Sequence, residues 1–168
     1  MKRLLGCAAL LLSAAAASQN TGSSSLPEAL RVPADEVLKL KVLGRGVQIY
    51  QCQDGAWKFQ APEASLSDDS GRVVGKHYAG PTWESVDGSI VVAEVKAHDD
   101  GPDATAIPWL LLQAKSATGT GVFGNIHSIQ RLQTKGGKAP SKLCDASSAN
   151  QIERVAYSAN YYFYAARK

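Results

Sequence analysis

Within "GKHYAGPTWESVDGS", residues 75–89, a histidine, a tyrosine, a tryptophan and two carboxylates fall close together. His77 with Glu84 or Asp87 would make an acid/base pair for a hydrolytic or isomerising step, if folding brought imidazole and carboxylate within hydrogen-bond reach. The same residues suit binding. A protonatable ring, an aromatic plate at Trp83 and a carboxylate beside the rigid Gly80–Pro81 turn could line the mouth of a pocket. A plainer account uses them as a hairpin: "GRVVGKHYA" and "TWES" read as strands, with turns at Gly80–Pro81 and Asp87–Gly88. Trp83 then belongs to the core and Glu84 to water. Strand alternation puts His77 and Ala79 on one face and Tyr78 on the other.

Other chemistries find less support in the residues. "GTGVFG", Gly119–Gly124, has the spacing G-x-G-x-x-G. A dinucleotide site needs a helix directly after it and an acidic residue about twenty positions on. "NIHSIQRLQTKGG" follows instead, with no amphipathic helical spacing, so the glycines read as a hairpin loop. His77, His98 and His127 stand at no metal-ligand spacing, and no G-x-S-x-G elbow is present. No metal and no cofactor is expected.

The elements that must position these residues are strands. In "EVLKLKVL", Leu38, Leu40 and Val42 share one face and Lys39 and Lys41 the other. Gly44 and Gly46 read as the turn into a hairpin partner, "VQIYQC". "AWKFQA" sets Trp57, Phe59 and Ala61 on one side, and "SIVVAEVKA" sets Val91, Ala93, Val95 and Ala97 on one side. "AIPWLLLQAK", apolar on both faces, reads as a central strand, with Pro108 near its start because proline cannot donate to a ladder. "IHSIQRLQT" is mixed, and "VAYSANYYFYA" closes the chain with aromatics on both faces. "DASSANQIERV" allows a helical turn or two at most. About eight short strands with Gly/Pro turns predict an all-β fold, a single antiparallel β-sandwich or barrel.

The ends of the chain predict its compartment. Lys2 and Arg3 precede the apolar run Leu4–Leu12, which is too short to span a bilayer, and Ala15-x-Ala17 offers a cleavage site. Residues 1–17 read as a signal peptide, 18–29 as a flexible linker and 30–168 as one β domain, which implies a periplasmic or secreted protein. "LLGC" resembles a lipoprotein motif, but too little apolar sequence precedes Cys7 for ordinary lipid processing. Cleavage would remove Lys2 and Arg3, so the formal charge of +3 would fall to about +1. A nucleic-acid partner, which calls for a strong basic excess on one face, is not expected. No second apolar run is long enough for stable membrane insertion, and the residues indicate no oligomeric state. With Cys7 gone, Cys52 and Cys144 remain as an even pair in an oxidising compartment. A metal or redox pair would want closer spacing, so a disulfide is the reading.

Six ordered stretches carry a resemblance: "GVQIYQC", "W-x-F-x-APEA-x-L", "GRVVGKHYAGPTWE-x-x-DGS", "IPWLLLQA", "SIQR-x-x-T-x-GG-x-AP" and "YSANYYFY". Over about residues 30–165 the chain resembles the domain of unknown function 3455 family, mostly exported proteins of bacteria and fungi. The resemblance implies a single exported domain and a shared site at His77, Tyr78, Pro81, Trp83, Glu84 and Asp87, with Trp109 and Gln130–Arg131 as additions. It implies no reaction. The expected function is therefore binding of a small or glycan-like ligand in a cleft lined by Trp83, Trp109 and the terminal tyrosines, by way of His77, Tyr78, Pro81, Trp83, Glu84, Trp109 and Arg131. The alternative is the hydrolase or isomerase using His77 with Glu84 or Asp87.

Overall fold

A computed structural model describes residues 26–168. The expected signal peptide, its cleavage site, Cys7 and most of the linker lie outside the described residues. Eight strands follow in order: β1 (Glu36–Gln53), β2 (Ala56–Ser67), β3 (Val73–Tyr78), β4 (Thr82–Ser85), β5 (Ile90–Asp99), β6 (Trp109–Thr118), β7 (Ser128–Gly136) and β8 (Ile152–Ala166). Each pairs antiparallel with the next. β8 then returns to β1 from Glu36↔Ala166 to Gln51↔Ile152, so the ring closes as a barrel with no free edge. Of the two predicted architectures, the closed one forms. Eight strands leave an interior just wide enough to fill with side chains or to hold one small ligand.

The alternating pattern sorts the faces. Tyr157, Ala159, Tyr161, Phe163 and Ala165 of β8 are buried at every second position and meet Val42, Leu66, Val91, Ala93, Leu112 and Ile129 inside. Apart from Arg131, the charged side chains lie outside the core, where Lys41 pairs with Asp69, Lys58 with Asp54 and Lys96 with Glu94. That is the reverse of a transmembrane barrel, whose apolar band faces outward. Among the described residues no helix is long and apolar enough to cross a membrane.

Several expected patterns shift where bulges intervene. Gly44 and Gly46 do not turn the chain. They lie within one strand of 18 residues, pairing with Leu66 and Ala64 of β2 and with Ala159 and Tyr157 of β8. Gly44 is there because the Tyr161 ring crosses it: a Cβ at 44 would come within 2.6 Å of that ring. An extra residue at Lys39 breaks the register after Leu38, which ends half exposed instead of sharing the buried face of Val42. Another at Gln60 separates Phe59 from Ala61, and one at Lys96 follows Val95. In a closed ring β6 is no more central than its neighbours, and Pro108 precedes it as expected.

The two ends of the ring are built differently. At the end carrying the β4–β5 and β6–β7 connections, the loop between β6 and β7 folds inward and buries Phe123 and Ile126. Phe123 meets Phe163 at a ring distance of 4.6 Å. At the other end Cys52, near the close of β1, is bonded to Cys144 in the β7–β8 connection, 92 residues away, with their Cα atoms 5.5 Å apart. Asp145 caps the following short turn, Ala146–Ser148. Within the segment expected to be linker, Glu28 and Ala29 begin a single 3-10 turn. Leu30, its last residue, is fully buried, and Gln130 Nε2 donates to the Leu30 carbonyl at 2.6 Å.

Candidate functional site

The stretch 75–89 forms β3, a turn at Gly80–Pro81, β4, and the turn into β5. Antiparallel register pairs His77 with Trp83 and Lys76 with Glu84, and this splits the stretch between two faces. Outside, Glu84 Oε2 is 3.1 Å from Lys76 Nζ and accepts from the Tyr78 hydroxyl at 2.9 Å. The Lys76 hydrogen bond, then that of Tyr78, holds the Glu84 carboxyl below its ordinary range, and the bond to Glu84 pushes the Tyr78 phenol up. Inside, the His77 ring stacks on Trp83 with centroids 4.3 Å apart and planes within 9°. Tyr161 meets both rings edge-on at 5.2 and 5.6 Å.

His77 and Glu84 are thus not brought together, because the sheet lies between them. Asp87 is farther still, in the β4–β5 turn at the opposite end of β4 from Gly80–Pro81. Its carboxylate accepts from the Ser89 amide and the Val122 amide, both at 2.9 Å, and from the Ser89 hydroxyl. Those bonds, Ser89 first, pull its pKa down to about 2. The glycine-rich loop is thereby explained. A Cβ at Gly121 would come within 2.2 Å of the Asp87 carboxylate, so "GTGVFG" is shaped to dock on that side chain. Its role is to fasten the inward loop that plugs this end of the ring.

At the other end a cavity of about 340 Å³ reaches down to His77 and Trp83. Pro62, Leu110 and Leu112 supply apolar wall, Gly80–Pro81 one side, and Phe59 and Val95, both about half exposed, the rim. The bulge at Gln60 re-aims the chain at this mouth, a place where bulges often sit. His77 Nδ1 is 2.8 Å from the Thr82 carbonyl. A carbonyl only accepts, so Nδ1 carries the proton and Nε2 keeps its lone pair. Burial lowers the His77 pKa to about 3 against the opposing Thr82 bond, and the Arg131 charge lowers it further. His77 is therefore neutral at ordinary pH.

Arg131 of β7 also lines the cavity. Its Nε and Nη2 donate to the Pro108 carbonyl at 3.1 and 2.8 Å. Burial works to lower its pKa, while the Tyr161 and Tyr157 phenols beside it act the other way. Burial raises both phenols, Tyr157 and Tyr161, above their ordinary value, and their hydroxyls lie 3.2 Å apart. The interior is thus one arginine among neutral rings.

Of the residues predicted from the sequence, His77, Pro81, Trp83 and Arg131 line this one cavity, whereas Tyr78, Glu84 and Trp109 do not. Leu110 and Leu112 face inward, so Trp109, one position away, turns outward and is buried beneath Gly101. Gln130 likewise faces out, joining Leu30 to the Tyr164 hydroxyl. Tyr161, one of the terminal tyrosines expected to line a cleft, also lines this cavity, as do Gln48, Phe59, Leu110 and Leu112, which the site motifs do not indicate. The other four carry no local signal, because only ring closure sets them beside His77.

These features define an all-β protein whose closed ring is plugged at one end and opens on a small cavity at the other. The chain matches the family described as protein of unknown function (DUF3455) over residues 33–165, and it belongs to that family. No curated protein and no solved structure matches it.

Proposed function

We propose that this protein is an exported binding domain that holds a small organic ligand in the cavity above His77 and Trp83. The observation that carries the reading is that cavity, about 340 Å³ with apolar walls and a few convergent polar groups, the ordinary character of a small-molecule site. A planar or apolar ligand fits better than a glycan. Glycan recognition uses the face of an exposed aromatic plate, and Trp83 is 1 % exposed with His77 against its face. The hydrolase or isomerase reading loses its support, since neither Glu84 nor Asp87 reaches His77. The Cys52–Cys144 bond is compatible with export, and the N-terminal residues supply the address.

The test is a thermal-shift screen of the mature protein with small planar and aliphatic organic molecules. A binder present at a hundred times its Kd stabilises the fold by about 2.7 kcal/mol. Leu110→Trp, which fills the cavity, should abolish that shift. Hits that survive Leu110→Trp, or no hits at all, would refute the reading.

A further inference from the structure

Two buried side-chain donors at the cavity lack a well-formed hydrogen bond. Trp83 Nε1 is buried without a hydrogen-bond partner, and Gln48 Nε2 approaches only the Tyr157 hydroxyl, short of a well-formed bond; the two residues are 1 % and 2 % exposed and both line the cavity. Native proteins leave few such groups unpaired, and two at one cavity call for an explanation. Arg131 adds a charge. Among the described residues none of the ion pairs includes it. Its neighbours are a carbonyl and neutral phenols, and no Asp or Glu lines the cavity. A guanidinium carries five N–H donors in a rigid fork, of which two are turned to Pro108 and another faces the Tyr161 hydroxyl. Arg131 is partly buried, and an arginine drawn this far from water normally has a carboxylate partner, because an unpaired desolvated charge is expensive.

Building on the proposed binding function, we propose that the cavity takes a small organic anion, a monocarboxylate with an apolar body. Its carboxylate accepts from the Arg131 guanidinium, with Trp83 Nε1 and Gln48 Nε2 as further donors, and its apolar body rests against Pro81, Leu110 and Leu112. Charge-assisted pairing of guanidinium and carboxylate supplies the orientation. Size agrees: a cavity of about 150 Å³ suffices for benzene, so 340 Å³ accommodates one ring and its carboxylate.

The test is calorimetric titration of the mature protein with two acid/amide pairs, benzoate against benzamide and hexanoate against hexanamide. An acid should bind about tenfold tighter than its amide, as a charged hydrogen bond provides. Arg131→Met should erase that preference, so that acid and amide bind alike. Because Arg131 also ties down Pro108, folding of the variant is checked first by circular dichroism. Should it not fold, the indole N–H resonance of Trp83 in the wild-type protein decides: benzoate moves it and leaves that of Trp57 in place. Equal binding of acid and amide would overturn the anion assignment and keep the binding function. A preference that survives Arg131→Met, or an unmoved Trp83 resonance, would also overturn the assignment. Binding of neither acid nor amide would overturn both.

Discussion

Truncating Trp83 to alanine removes the largest side chain in the interior. The ring is 1 % exposed, stacked on His77 and touched edge-on by Tyr161 and by Phe163, whose centroid is 6.0 Å away. Three aromatic neighbours lose their partner at once, and the closed ring of strands cannot collapse to fill the space. Deletion of a buried aromatic costs about 3–5 kcal/mol under such conditions, a large part of the roughly 5–15 kcal/mol that holds a domain together. For a chain of this size that corresponds to a fall in Tm of about 6–20 °C. Trp83→Phe keeps an aromatic surface and removes the unpartnered Nε1–H, so it should cost about 1–2 kcal/mol, well below the alanine variant. Urea unfolding followed by far-ultraviolet circular dichroism measures both without depending on tryptophan emission. A loss below about 1 kcal/mol in Trp83→Ala would mean that the ring is not packed as described.

Reduction of the Cys52–Cys144 bond, or Cys144→Ala, should lower stability by about 2–5 kcal/mol; two titratable thiols in the folded, exported protein would disprove the bond. The His77 ring should show no titration by NMR between pH 5 and 8. Because its folded pKa, about 3, lies below the ordinary 6.5, its contribution to stability is full above about pH 6.5 and is lost as pH falls toward 3. An NMR midpoint near 6.5 would contradict its burial. Asp87 has a folded pKa of about 2 against 3.8, so the advantage of the native protein over Asp87→Asn should be full above about pH 4 and fade as pH falls to about 2. A pH-independent difference would show that the carboxylate charge is not what fastens the glycine loop. Intact mass of protein expressed in a bacterium should show loss of about seventeen residues, and a full-length product would refute export.

How much the residues alone determined depended on the range of the interactions involved. The all-β class, the turns at Gly80–Pro81 and Asp87–Gly88, the start of β6 after Pro108 and the pairing of Cys52 with Cys144 were legible, because period-2 alternation, turn chemistry and cysteine parity are local or simple facts. The faces of His77 and Tyr78 were legible for the same reason. Register was not. The bulges at Lys39, Gln60 and Lys96 shift the phase of alternation by one residue, so Leu38 and Ala61 leave the faces that spacing assigned to them. Gly44 and Gly46 looked like a turn because the ring that crosses Gly44 belongs to Tyr161, more than a hundred residues later. Spacing also grouped Glu84 and Asp87 with His77, and Trp109 with Trp83. A strand pair has two faces and a ring has two ends, and proximity in sequence does not choose between them. Only closure of β8 onto β1 brought Gln48, Arg131 and Tyr161 around His77 and Trp83, because a site at the middle of a closed sheet is assembled by pairings that no single segment contains.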